Sequence, residues 1–264
     1  MKLVRFQAPG SNAARWGVVE GETVRALAQA PYEKIETTKD AYSLTGVQLL
    51  APAEPSKIVC GGLNYHGHAK EIGVPAPRVS ACFLKPPTSL IGPGAAIVYP
   101  PETERLEYEA ELALVIKSRM RNVAPADVLK HVLGYTCSND VTARDIQVEG
   151  GNFLNLCVSK SFDTFCPVGP WLITDVDPGR LAINLTVDGK TRQSSNTSDM
   201  IFSVEVMLSY FSHVMTLLPG DLILTGTPEG IGRMAVGQVC NVTIEGIGTL
   251  SNPIVASPLR AKPH

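Results

Sequence analysis

An excess of one charge is missing from this 264-residue chain: 23 Lys and Arg stand against 25 Asp and Glu, and no long basic run occurs. Nucleic-acid binders carry a basic face, so that class is excluded and a small-molecule partner is expected. Long apolar runs are missing as well. The opening MKLVRFQAPGSN has no stretch of about 7–15 apolar residues such as a signal peptide uses, and no later run approaches the roughly 18 needed for a membrane span. The expectation is a cytoplasmic protein without a membrane partner. Paired cysteines are absent: Cys60, Cys82, Cys137, Cys157, Cys166 and Cys240 form no CxxC. This argues against a zinc site or a disulfide frame and for reduced, mostly buried thiols. Without a secretion signal, the N-x-S/T sequons at Asn184, Asn196 and Asn241 carry no weight. Walker A, G-x-G-x-x-G after a strand, and G-x-S-x-G are all missing, which removes the common nucleotide and serine-hydrolase readings. Internal repeats and low-complexity tracts are absent too.

What is present is ample apolar material, 44% hydrophobic against 18% charged, enough for a full core and incompatible with disorder. Residues 1–50 read as a small β unit in which WGVVEGETVRAL turns at Glu20-Gly21, followed by the Pro-bearing linker LAPAEPSK. A boundary is therefore placed at residue 53, giving units 1–53 and 54–264. Beyond it, KIVCGGLN reads as a strand, and NYHGHAKEIG as a short helix capped by Asn64 and stopped at Gly73. LEYEAELALVI reads as one strand, PADVLKHVLG as a helix, and LAINLTVDGKTRQ and VCNVTIEGIGTLSNPIV as hairpins. The spacing of Val204, Leu208, Phe211, Met215 and Leu218 predicts a long amphipathic helix from Ser198 to Leu218. Strands outnumber helices about two to one without βαβ alternation, which indicates an α+β, predominantly β fold.

Three stretches carry chemistry. On a strand, Glu107, Glu109 and Glu111 of LEYEAELALVI project to one face, where like charges repel unless solvent, arginines or a metal neutralise them. A solvated polar face accounts for the spacing equally well. However, ELALVI carries Glu111 into an apolar run, and a buried carboxylate needs a partner. Oxygen ligands of this kind select Mg²⁺, Mn²⁺ or Ca²⁺. In HGHAKE, His68 and Glu71 are i,i+3 neighbours on a helix and His66 is not. The pair is either an ordinary surface contact or a general base oriented by a carboxylate. A cupin-like HxH reading fails because the glutamate arrives too early and no second half follows. Lys85 and Lys160 lie beside apolar residues and loop formers, placed to clamp an anion or simply to sit at the surface.

In order, GLNYHGHAKE, FLKPPTSLIGPG, YEAELALVI, SNDVTARDIQ, SKSFDTFCPVGPW, NTSDMIFSV and GDLILTGTPEGIG resemble the fumarylacetoacetate hydrolase superfamily, over roughly Lys57 to Val255. The resemblance is to its short, acylpyruvase-like and 2-hydroxyhepta-2,4-diene-1,7-dioate isomerase-like members. It implies a mixed β-roll or sandwich with a few helices, preceded here by the small N-terminal β unit, and usually a homodimer. It implies that Glu109, Glu111 and Asp140 hold Mg²⁺ or Mn²⁺, that His68 and Glu71 form a dyad for water activation or proton transfer, and that Lys160 lies beside the substrate. Thr227 of the TGTP loop, Arg144, Gln147 and Lys85 are the expected substrate contacts, with Glu107 and His66 outside the motif and Asp145 a structural partner. The implied substrate is a small dicarboxylate or 2-oxo acid. The implied chemistry is hydrolysis of a carbon–carbon bond in a 2,4-dioxo acid such as an acylpyruvate or fumarylpyruvate, through an enolate that the metal stabilises. Tautomerisation of the dienedioate type and decarboxylation of the oxaloacetate type use the same site. The segment IQVEGGNFLNLCVS between Asp145 and Lys160 is longer than in the common acylpyruvase-like pattern, which bears on the shape of the pocket. The extra N-terminal domain of the animal-type enzymes is absent, so their substrate is not implied.

Overall fold

The structure is a computed structural model that describes residues 1–149 and 155–258. Its spine is a twelve-stranded sheet. Strands Lys2–Gln7, Ala14–Glu20, Thr23–Leu27 and Thr37–Ser43 form an antiparallel meander at one end, and Gln48–Leu50 also pairs with the first of them. Lys2–Gln7 continues onto Cys166–Ile173, after which the order runs through Val132–Asn139, Ala110–Ile116, Leu222–Leu224 and Ile58–Gly62 to Ala81–Lys85 at the edge. A five-stranded sheet contains the two expected hairpins. The turn between Ala182–Val187 and Lys190–Asn196 has positive φ at both Asp188 and Gly189, the conformation that an Asp-Gly hairpin requires. A three-stranded sheet joins Thr142–Ala143, Leu106–Tyr108 and Gly232–Arg233.

Strand Ala110–Ile116 is buried on both faces, which explains its unbroken apolar run. Leu112, Leu114 and Ile116 enter the core shared with the five-stranded sheet, among Ile183, Leu185, Val242 and Leu250. Ala113 and Val115, one step out of phase, meet Ile58, Leu172, Leu222 and Leu224 on the other side.

Three expectations are corrected. LEYEAELALVI is two strands, Leu106–Tyr108 and Ala110–Ile116, and the chain changes sheet at Glu109. There the Glu109 and Ala110 N–H groups donate to the side chains of Asn139 and Gln193, both at 2.9 Å, in place of ladder partners. The long helix is the shorter α4, Val204–Val214, after α1 (His66–Glu71), α2 (Arg144–Gln147) and α3 (Leu156–Lys160). The Ser203 side chain accepts from Val206 N–H and starts α4, Thr197–Asp199 forms a separate 3₁₀ turn, and Met215 is extended. PADVLKH forms 3₁₀ turns over Pro125–His131 and not an α-helix. No helix among the described residues is long and apolar enough to cross a membrane.

Candidate active site

Sheet register brings Glu109, Glu111 and Asp140 together across the chain. Ala110 pairs with Asn139, so the carboxylates flanking that pair fall side by side, and Asp140 N–H donates to the Glu109 carbonyl at 2.9 Å. All three are buried, with one oxygen from each within 4.8 Å of the others. Among the described residues this is the one cluster of three such groups.

Cations surround it. Lys160 Nζ donates at 2.7 Å to both Glu109 Oε2 and Asp140 Oδ2. Arg144 donates through Nη2 to Glu109 Oε1, through Nε to Glu107 Oε2 at 2.8 Å, and through Nη1 to Gln147. Lys85, fully buried, donates to Asp140 Oδ1 and to the Val141 carbonyl from behind, and it is not among the residues lining the cavity. Burial pushes Glu109 up, but Lys160 and Arg144 outweigh it and hold the carboxyl down at about 2. Glu111 goes the other way: burial, with Asp140 and Glu109 alongside, raises it well above the carboxylate range, outweighing the charge of Lys160 and the N–H of Gly226 at 2.7 Å. Only a proton or a cation relieves that repulsion.

The site therefore fits a divalent ion: three buried oxygen donors at coordinating separation, one of them short of positive charge. The charge sum agrees. Three negative charges on the triad meet three positive ones on Lys85, Lys160 and Arg144, and Glu107 cancels Arg105, so a divalent ion leaves about +2 for an anionic ligand.

Helix α1 carries the dyad to the same cavity. His68 Nδ1 lies 2.8 Å from Glu71 Oε2, and Glu71 Oε1 accepts from Gly230 N–H at 2.9 Å, tying the helix to the TGTPEG loop. A carboxylate at Nδ1 fixes the tautomer and leaves Nε2 as the basic nitrogen. His66 is exposed and outside the site. The N-cap of α1 is Tyr65 and not Asn64, whose buried side chain instead bonds Phe202 and the Thr225 carbonyl. The helix N-terminus is met by Asp199, which accepts from Gly67 N–H at 3.0 Å. Thr227 Oγ1 accepts from Gln193 Nε2 at 2.9 Å, which leaves its own proton free to donate.

A cavity of about 540 Å³ opens over the triad and is lined by His68, Lys160, Arg144, Gln147 and Thr227 among others. The sequence did not single out Gln193 or Asp199, it gave Asn64 only a capping role, and it left Glu107 without a role. Gln193 in KTRQSSN and Asp199 in NTSDM sit among other polar residues, so nothing local marks them. Asp145 is a structural partner, accepting from Thr103 and from Glu104 N–H. The longer segment before Lys160 lies in part, over residues 150–154, outside the described residues.

Residues 57–255 match the fumarylacetoacetate (FAA) hydrolase C-terminal family. The chain belongs to the fumarylacetoacetate hydrolase superfamily. Residues 1–52 match the Rv2993c-like N-terminal family. Similar solved structures include the 2-hydroxyhepta-2,4-diene-1,7-dioate isomerase from Mycobacterium marinum, 41% identical, with a TM-score of 0.89 over 98% of this chain and 100% of that one. Another is the maleylpyruvate hydrolase from Sphingobium sp. SYK-6 in complex with manganese (II) ion and pyruvate, 31% identical, with a TM-score of 0.78 over 97% and 100%. The mitochondrial oxaloacetate tautomerase fahd2 of Xenopus laevis is 37% identical over 97% of this chain and 90% of its own length. These superfamily relatives are enzymes acting on small acids, by isomerisation, hydrolysis or tautomerisation.

Proposed function

We propose that the protein is a Mg²⁺- or Mn²⁺-dependent enzyme that hydrolyses a carbon–carbon bond in a small 2,4-dioxo acid of the acylpyruvate or fumarylpyruvate type. The observation that carries this reading is one cavity holding an oriented base, His68 with Glu71, and a buried carboxylate triad set among cations. Glu109, Glu111 and Asp140 would hold the metal, which would supply polarisation of the 2-oxo group and stabilisation of negative charge on the pyruvyl half. His68 Nε2 takes a proton from water as the water oxygen bonds to C4. The C3–C4 bond then breaks, its electron pair passes to C3, and C3 takes back the proton held on His68 Nε2, which gives pyruvate beside the carboxylic acid and restores the base. Lys160 supplies positive charge to the oxygen that becomes anionic. Thr227, Arg144 and Gln147 hold the substrate carboxylate, and Lys85 fixes Asp140.

A second reading, enol–keto tautomerisation or decarboxylation at the same site, is favoured by the isomerase and tautomerase among the relatives, both more similar to this chain than the hydrolase. It needs His68 as a proton carrier but no attacking water. Product analysis with Mg²⁺ on 2,4-dioxopentanoate, the dienedioate and oxaloacetate separates the two. Release of pyruvate and acetate from the first supports hydrolysis, and ketonisation or CO₂ loss without it supports the alternative. In either case Lys160→Ala is expected to lower kcat/KM by about 100-fold. An unchanged value would refute the role given to Lys160. The homodimer belongs to the same proposal, and light scattering at assay concentration checks it.

A further inference from the structure

Arg105 and Arg144 occupy opposed positions on two neighbouring strands. Leu106 pairs with Ala143, and the Arg144 N–H donates to the Arg105 carbonyl at 2.8 Å. Both arginines line the cavity over the triad. Like charges directly opposite one another repel, so the pairing needs an anion between them. Glu107 is that anion: buried, it accepts from Arg105 Nε at 2.5 Å through Oε1 and from Arg144 Nε at 2.8 Å through Oε2. One carboxylate thus holds two guanidinium groups, and both of its oxygens are used.

The two groups differ in what they have left. Arg144 is engaged through Nη1 to Gln147 and through Nη2 to Glu109, and its side chain is 10% exposed. Arg105 is engaged through Nε alone, its side chain is 42% exposed, and no described residue accepts from its Nη1 or Nη2. A guanidinium anchored at Nε presents those two nitrogens as a fork, the geometry that takes both oxygens of a carboxylate. The charge count points the same way. With a divalent ion on the triad the site carries about +2, so a ligand with one carboxylate leaves about +1 and one with two brings the sum close to zero. The cavity, about 540 Å³, has room for an acyclic acid of about five to seven carbons.

We propose that Arg105 is a specificity-determining residue whose Nη1 and Nη2 hold a second carboxylate, at the end of the substrate remote from the triad, so that a 2-oxo diacid binds in preference to the monoacid of equal length. Glu107 is its positioning residue, fixing the direction of the fork. This rests on the 2-oxo acid reading of the triad but not on which reaction follows, and within that reading it favours the fumarylpyruvate type over simple acylpyruvates.

The test is calorimetric binding to the full chain, in Mg²⁺, of two pairs of acids matched in length: 2-oxoglutarate with 2-oxopentanoate, and 2-oxoadipate with 2-oxohexanoate. None carries a 4-oxo group, so binding is read without hydrolysis. In at least one pair the diacid is expected to bind about tenfold tighter or more. Arg105→Met is expected to remove that preference and to leave the monoacid within about twofold. Equal or weaker binding of the diacid in both pairs overturns the proposal. Arg105→Lys returns a counter-charge to Glu107 without the fork, and is expected to recover no more than part of the preference. If Arg105→Met weakens diacid and monoacid alike and Arg105→Lys restores both, Arg105 only steadies Glu107 and the assignment is wrong. Arg233, in register with Glu107 but not among the cavity's lining residues, is the control for charge at a distance. Arg233→Met is expected to keep the preference, and an equal loss there would refute a direct contact by Arg105. If none of the four acids binds, the 2-oxo acid reading falls together with this one. If all four bind without a preference for the diacid, this one alone falls.

Discussion

At the scale of single residues, the site is an arrangement of buried charges in which each group fixes the next. Glu107, which sequence motifs leave idle, is buried and orients Arg144 through Nε so that the rest of the guanidinium reaches Glu109 and Gln147. Outside the triad, Asp145 shows how a carboxylate can stabilise a loop. Burial pushes it up, but the Thr103 hydroxyl and the Glu104 N–H outweigh that and hold it below its usual value. A folded value below the unfolded one contributes stability that is full above the ordinary Asp range near 3.8 and is lost as pH falls through the folded value. Thr103→Val should therefore lower the urea midpoint more at pH 7 than under acidic conditions, and the part due to the Arg105 N–H, which Thr103 Oγ1 accepts at 3.1 Å, should persist at both. The thiols differ in the same physical terms. Burial raises Cys60 well above its ordinary value and pushes Cys137, Cys166 and Cys240 up to about 12, whereas Cys157 is exposed. Ellman's reagent at pH 8 is expected to react quickly with one thiol in the native protein and with all six in denaturant.

At the scale of elements, α1 is a six-residue helix, too short to stand by itself, and its position comes from what docks on it. Asp199 meets its first turn, Glu71 accepts from Gly230, and Gly67 lies flat against Glu229, where an added Cβ would come within 2.0 Å of Glu229 Oε2. Gly67→Ala must displace either that carboxylate or the helix bearing His68. It is expected to cost about 1–3 kcal/mol and to reduce kcat. Glu229→Ala in the same chain should restore stability, since the collision is then gone and alanine is the better helix former. Additive losses in thermal melts of the single and double variants would sink this account. The break at Glu109 is the other decisive element. The alternation of LEYEAELALVI spoke for one strand with three carboxylates in a row, because period-2 patterning carries no mark of a change of sheet. The side chains that permit the change, Asn139 and Gln193, lie 30 and 83 residues away.

At the scale of the whole molecule, residues 1–53 share both a sheet and a core with the rest. Lys2 and Leu3 pair with Ile173 and Leu172, and Leu3, Trp16, Leu27 and Ala51 pack in one cluster with Ile58, Cys60 and Leu222. Removing residues 1–53 is expected to uncover this face and the edge of Cys166–Ile173, producing aggregation on size-exclusion chromatography where the full chain elutes cleanly. What the sequence determined alone was whatever is encoded locally. Charge balance argued against nucleic acid, apolar alternation indicated strands, Asp188-Gly189 marked a hairpin, and the ordered motifs named Glu109, Glu111, Asp140, His68, Glu71 and Lys160 together. Tertiary structure decided what depends on distant partners. It bridged Glu109 and Asp140 with Lys160, placed Lys85 behind the site and not among the cavity's lining residues, drew Glu107 onto Arg144, ended α4 early, and brought apolar and charged side chains from separate segments into one cavity. The physical reason is that neutralising a buried charge, or completing a cavity, depends on groups that meet only once the sheets have set their register.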